Sequence, residues 1–332
     1  MIKIQKSRES DLDKIESLIA QAEKDFAKDF LSRVNALKSP DRVEQVRVFI
    51  EQGRYDLALQ VLDEEDDSSF LLFMFNLWVA ASTLQIAMTK DAIQKLQISL
   101  FGTVTPIIFD PTDPTNAQNL RNLILEQKAY LSESRRNAFL FILNEGMGRA
   151  LSGSDLLAYV NKFQGLSQAQ IKAVLNYERL LQQNSKQALD RTLRDQSFDR
   201  RVLSDRPLTE KQIQKMVDAY IRNQLSFRAQ TLARLIVGDL VNEAMQAAAK
   251  KAAVDSGIGT TGLVKSWRSM RDRKVRLTHK QHIGLDGQTV GIDEYFVSPS
   301  GARLKHPRDR NAPFKETAGC RCWLLVYIQD QI

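Results

Sequence analysis

Five side chains of this 332-residue chain could do soft-ligand or nucleophilic chemistry, and all lie in its last quarter: His279, His282, His306, Cys320 and Cys322. His279-Lys280-Gln281-His282 and, further on, Cys320-Arg321-Cys322 bring two imidazoles and two thiols, the count and softness that tetrahedral zinc requires. CxC is tighter than the CxxC of common zinc fingers, so its two thiolates chelate one ion less easily. One expectation is therefore a structural zinc ion held by His279, His282, Cys320 and Cys322. A second is that the cysteines flank an outward Arg321 at the start of a strand and pack as small apolar residues. A nucleophilic cysteine is the third. Two cysteines one residue apart cannot staple a fold, so a disulfide framework is excluded and a reducing compartment is expected.

The same region holds nearly all the net charge. Residues 257–332 carry 13 Lys/Arg against 7 Asp/Glu, which accounts for +6 of the chain's +7. Lys265, Arg268, Arg271, Arg273, Lys274, Arg276 and Lys280 cluster with the single acid Asp272 and with Trp267 between them. Such a stripe suits DNA phosphate, bound without sequence preference and with strong salt dependence, or an acidic protein surface. A solvated face with no partner is the plainer alternative.

No GxxxxGK[ST], no GxGxxG at a strand end and no GxSxG elbow occurs, so neither an enzyme nor a small-molecule substrate is expected. Ser68 to Thr89 is uncharged for 22 residues and meets the length criterion for a membrane span. Asn76, Ser82, Thr83 and Gln85 interrupt it, and it follows Asp63-Glu64-Glu65-Asp66-Asp67, so a buried or partner-facing helix is expected. The opening residues show no apolar run followed by small residues, and no secretory signal is expected.

The elements that must position these side chains read as mainly α, an extended helical body with a small C-terminal α+β domain. Residues 1–100 form an N-terminal helical segment, 101–256 a central helical body, and 257–332 the basic domain. Phe101 to Phe109 is β-rich and leads into Asp110-Pro111-Thr112-Asp113-Pro114, which a helix cannot cross, so this stretch is expected to connect the N-terminal helical segment to the central one. Ser167 with Gln170 and Thr209 with Gln212 are helix-start signatures. A long helix from about Thr209 to Asp255 ends at Gly257, Gly259 and Gly262. Strands are expected at Thr289–Ile292, Tyr295–Val297 and Trp323–Ile328, with turns at Asp286-Gly287 and Ser300-Gly301. A core this small needs a metal, a partner surface or the helical body to hold it.

Taken in order, Trp267, the run Val275-Arg276-Leu277-Thr278-His279, Leu285-Asp286-Gly287, Pro307-Arg308-Asp309 and the terminal Cys320-Arg321-Cys322 resemble the phage Mu F-like minor head protein family. Looser likeness extends through Phe109-Asp110-Pro111, Asn176-Tyr177 and Arg228 to Arg234, so that it covers about Pro106 to Ile328. Two features depart from the family pattern. The family often carries a glutamate just after the segment matched by Leu232-Ala233-Arg234, where this chain has no acid until Asp239. The family's histidine is matched by His279 in sequence context and by His282 in its distance to Leu285-Asp286-Gly287, so either fits.

The resemblance implies a structural protein of a tailed-phage virion. Such a protein lies inside the head near the portal vertex, contacts portal, inner capsid and double-stranded DNA, and is made in the host cytoplasm. It takes part in head morphogenesis, and some family members leave with the DNA. The alternative expectation is a metal-dependent nuclease or injected effector acting on nucleic acid, because such domains also occur fused to toxins.

Overall fold

The computed structural model describes residues 2–63, 68–204, 206–271, 273, 275–280 and 284–329. Among these are ten α-helices and five strands, a mainly α chain whose strands all lie from Leu263 onward. The compact units are discontinuous and do not follow the three consecutive segments expected. One comprises Met1–Phe26, Ser68–Glu126 and Thr231–Ile332; the other comprises Ala27–Asp67 and Gln127–Gln230. Helices α1 (Ile2–Ala36), α5 (Pro114–Gly148) and α9 (Glu210–Asp255) contribute residues to both.

The second unit contains α2 (Pro40–Glu51), α3 (Tyr55–Asp63), α6 (Gly153–Phe163), α7 (Gln168–Gln182) and α8 (Asp199–Val202). The start of α7 is fixed locally. Ser167 Oγ accepts from the Gln170 backbone N–H, and the Gln170 side chain accepts from Ser167 N (3.1 Å). The same reciprocal pair, Thr209 with Gln212, opens α9. Each arrangement satisfies amides that the first helical turn leaves without partners. The apolar faces of these helices close on Val46, Leu62, Phe163, Tyr177 and Tyr220.

In the first unit, α4 (Ser68–Phe101) is one helix of 34 residues. It is long and apolar enough to cross a membrane by length and composition, yet 44% of its most apolar window is buried. The polar residues that interrupt its sequence explain its seating. Ser82 Oγ donates to Ala244 O (3.5 Å), Gln85 Nε2 to Val326 O (3.1 Å) and Gln97 Nε2 to Ser256 O (3.2 Å). These bonds tie α4 to α9 and to the sheet.

The β-rich stretch after Gly102 forms no strand. Residues 104–110 are irregular, and the Thr105 amide donates to Gln97 Oε1 (3.3 Å) where a ladder partner would have been. Asp113 then caps α5, accepting from the backbones of Thr115 (2.9 Å) and Asn116 (3.3 Å), with Pro114 as the first helical residue.

The sheet has the order β2-β1-β5 and is antiparallel throughout. Strand β1 is Leu263–Ser269, β2 is Thr289–Gly291 and β5 is Cys322–Ile328. A separate ribbon pairs β3 (Phe296–Val297) with β4 (Arg303–Leu304). Nearly every residue of β1 and β5 is buried, so both sheet faces are covered. Ala248, Ala249, Ala252 and Ala253 of α9 join Ile86 and Ile93 of α4 in one core with Trp267 and Leu324. The small α+β region thus completes its core with helices from elsewhere in the chain, and the short side chains of α9 permit close packing.

Candidate metal centre

Two residues apart in extended backbone means the same face. Cys322 opens β5 opposite Ser269, and Cys320 precedes it by that interval. Arg321 O accepts from Met270 N (3.1 Å), which holds the approach to the strand in register. Both thiols consequently point inward, and both are buried.

The third ligand comes from the loop after β1. His279 ends the short turn Leu277–His279, where the chain folds back so that Leu285 N donates to Thr278 O (3.0 Å). Gly284 makes that approach possible: a Cβ there would lie 2.3 Å from Thr278 O. His279 Nδ1 lies 3.5 Å from Cys320 Sγ and 3.5 Å from Cys322 Sγ, and the three ligand atoms fall within 4.8 Å of one another. The Trp267 ring packs edge-on against the imidazole, with centroids 5.1 Å apart.

Glu316 of α10 (Phe314–Thr317) completes the support. Its Oε2 lies 3.2 Å from His279 Nε2 and accepts from Thr278 Oγ1 (3.1 Å), while Oε1 accepts from Ser300 Oγ (2.8 Å). Burial works to raise this carboxyl, but the hydrogen bonds from Ser300, Thr278 and His279 hold it below the usual carboxylate range. A carboxylate on Nε2 fixes the proton there and turns the Nδ1 lone pair toward the thiols, the support that metal-ligating imidazoles ordinarily have. Burial pushes both thiols up. For Cys320 the close contacts with Cys322 and His279 and the charge of Arg308 more than offset it, and this thiol falls well below its ordinary value. Cys322, beside Cys320, is pushed well above it. The cluster could hold a metal ion, and one imidazole with two thiolates selects zinc-like ions over hard cations.

Beside it opens a cleft of about 320 Å³ whose lining includes His279 and Cys320 together with Arg276, Lys315 and Arg321. His282 and Lys274 lie outside the described residues.

The remaining members of the basic stripe do not form one surface. Lys265 is a correction: it is fully buried, because β1 lies between covered sheet faces. Its Nζ donates to Lys305 O (2.8 Å) and Gln246 Oε1 (3.2 Å), and burial lowers its pKa to about 8. Arg268, Arg276 and Lys280 are half-buried, and Arg276 Nη2 donates to Ala318 O. Arg271 and Arg273 are exposed, with Arg271 Nε donating to Asp286 Oδ2 (2.9 Å).

The third histidine belongs to another cluster. His306 Nδ1 lies 2.9 Å from Pro307 O, and Nε2 lies 3.1 Å from Glu243 Oε1 and 3.7 Å from Asp239 Oδ1. Acceptors on both nitrogens call for the imidazolium. Burial lowers the His306 pKa, but Glu243, Asp239 and Asp309 outweigh it and raise it overall. Burial raises Glu243 as well, yet the hydrogen bond and charge of His306 and the charge of Lys305 bring it down to about 2. Sequence reasoning singled out neither Glu316 nor Glu243, since each meets its histidine across a gap that no local pattern marks. No protein-family model, no curated protein and no solved structure matches this chain.

Proposed function

We propose that the chain is a minor head protein of a tailed bacteriophage. In this reading it is internal to the capsid, associated with the portal and needed for head morphogenesis. It contacts viral double-stranded DNA without sequence preference and leaves with the DNA on ejection. Its carboxy-terminal region is a module clamped by structural zinc on His279, Cys320 and Cys322.

One observation carries the proposal: the residues behind the Mu F-like resemblance, scattered from Trp267 to Cys322, meet in a single interior. Trp267 packs on His279, which faces both cysteines. Asp286 Oδ1 accepts from Ser269 N (3.0 Å), Asp309 Oδ2 from Lys305 N (2.8 Å), and Pro307 O from Asn242 Nδ2 (2.7 Å). Residues that serve mainly to build a domain suit an assembly protein, and zinc would add its binding free energy to the stability of a thin core.

The test is quantitative mass spectrometry of DNA-filled and emptied particles. A copy number comparable to the portal's is expected, with loss on emptying. Absence from both kinds of particle would overturn the virion assignment.

A second reading, a metal-dependent nuclease or injected effector, is favoured by the cationic cleft beside the three-ligand set. A metal ion there would supply Lewis acidity, and Arg276, Lys315 and Arg321 would hold a phosphodiester. Plasmid cleavage that depends on added zinc or magnesium and disappears in His279→Ala would establish it in place of the purely structural role.

A further inference from the structure

The second unit contains a cavity that the proposed function leaves unused. It measures about 50 Å³, and its walls are apolar, with Phe30, Val34, Leu131, Phe139, Ile142 and Phe163 among them. One water needs roughly 10–15 Å³ on this scale, so the space suits a few waters or a small ligand. Three guanidiniums also line it. Two are answered within the unit: Arg33 pairs with Asp29 (2.9 Å) and Arg135 with Asp63 (2.9 Å).

Arg228 is not answered. It is only 9% exposed, and Nη2 donates to Ser134 Oγ (3.0 Å) while its Nη1 has no hydrogen-bond partner among the described residues. No carboxylate there pairs with it, and its other neighbour is the face of the Phe30 ring, 6.0 Å away. Gln164 Oε1, a buried acceptor on the same wall, is itself without a partner and does not answer it. Burial, helped by Arg135 and opposed by Tyr130, lowers the Arg228 pKa to about 10, which leaves the guanidinium charged at neutral pH.

A buried charge without a counterion is costly, and chains usually pair it or bind something to it. We propose that this cavity binds a small carboxylate with a short aliphatic body. The carboxylate accepts from Arg228 Nη1, and the aliphatic part lies on the apolar wall. A planar carboxylate matches a guanidinium edge. A phosphate dianion would press further charged oxygens against the aromatic and aliphatic side chains, so the carboxylate is the better fit.

The test is calorimetric titration of the full chain with straight-chain acids from acetate to hexanoate, with the matching 1-alkanols and inorganic phosphate as controls. Saturable binding of one equivalent is expected in the millimolar range or tighter, strengthening about fourfold per added methylene until the cavity is full. Pentanoate should bind at least about tenfold more tightly than 1-pentanol. Arg228→Met should bind acid and alcohol alike, and Arg228→Lys should keep a weaker preference for the acid. No saturable binding of any alkanoate, equal affinity for acid and alcohol in the native chain, tighter binding of phosphate, or a preference that survives in a folded Arg228→Met would each overturn the proposal. If Arg228→Met does not fold, the acid-to-alcohol comparison in the native chain decides.

Discussion

Replacing Glu316 by glutamine alters the support of the proposed zinc centre and leaves every ligand in place. The native carboxylate serves three groups at once: Ser300 at Oε1, and Thr278 and His279 at Oε2. A glutamine has one oxygen and an NH₂, so at least one of those groups meets a donor where it had an acceptor. The substitution also removes the negative charge that fixes the His279 proton on Nε2 and makes Nδ1 the stronger ligand. Losing such a partner weakens metal binding about 10–100-fold, or about 1.4–2.7 kcal/mol.

Competition with a chromophoric chelator measures that shift, and cobalt(II) gives an independent signal through its thiolate charge-transfer bands. The native chain should bind one equivalent of zinc, Glu316→Gln one equivalent more weakly, and Cys322→Ser far more weakly still. Metal binding free energy enters folding free energy, so the melting temperature should fall in the same order when zinc is present. Equal zinc affinity in Glu316→Gln and the native chain would refute the role given to the carboxylate. A native chain that takes up no zinc would refute the centre itself.

Lys265→Met should leave the salt dependence of DNA binding unchanged, whereas Arg271→Ala with Arg273→Ala should lower the log–log slope by about 1 for each phosphate that is no longer neutralised; the reverse pattern in a salt-titrated binding assay would refute the division of the stripe. Ser167→Ala should cost about 1 kcal/mol in urea unfolding by removing the cap on α7, and no change would show that the cap carries no stability. Burial raises the Asp239 carboxyl to about 7 against the opposing charge of His306, so the folded state holds this proton more tightly than the unfolded chain, and stability from this group falls as pH rises from about 4 to 7. Asp239→Asn should flatten that fall and gain on the order of 1–3 kcal/mol at pH 8 relative to pH 5, and an unchanged slope in paired urea titrations would refute the assignment.

Features fixed by neighbours in sequence were legible. Ser167 with Gln170 and Thr209 with Gln212 form the expected caps, α9 stops at Asp255 before Gly257, and β5 begins within a residue of its expected start. What depends on distant partners was not. Strand β1 carries Lys265 and Arg268, which read as a surface stripe until β2 and β5 are seen to pair on either side of it. The linear domain division failed for the same reason: the sheet shares a core with Ile86 and Ile93, far upstream. At the site, CxC looked a poor chelate because its spacing was judged against loops. In extended backbone the same spacing sets both thiols on one face, and His279 arrives across the turn that Gly284 permits.

The positive excess of residues 257–332 is similarly misleading as a measure of surface field. Lys265 is buried on a carbonyl and an amide oxygen, and Lys305 pairs with Glu243 (2.6 Å). Arg308 crosses Gly238, where a Cβ would lie 2.0 Å from its Cδ, to reach Glu23 (2.7 Å) and Arg234 O (3.0 Å). Arg310 pairs with Glu126. Three of those four cations are thus matched by acids that lie before Gly257: Glu23 on α1, Glu126 on α5 and Glu243 on α9. Much of the charge asymmetry along the chain is an internal pairing between its early and late segments. What remains for a polyanion is a few exposed cations such as Arg273 and Lys315, so DNA binding should be weak, and its salt slope should reflect a few neutralised phosphates instead of thirteen.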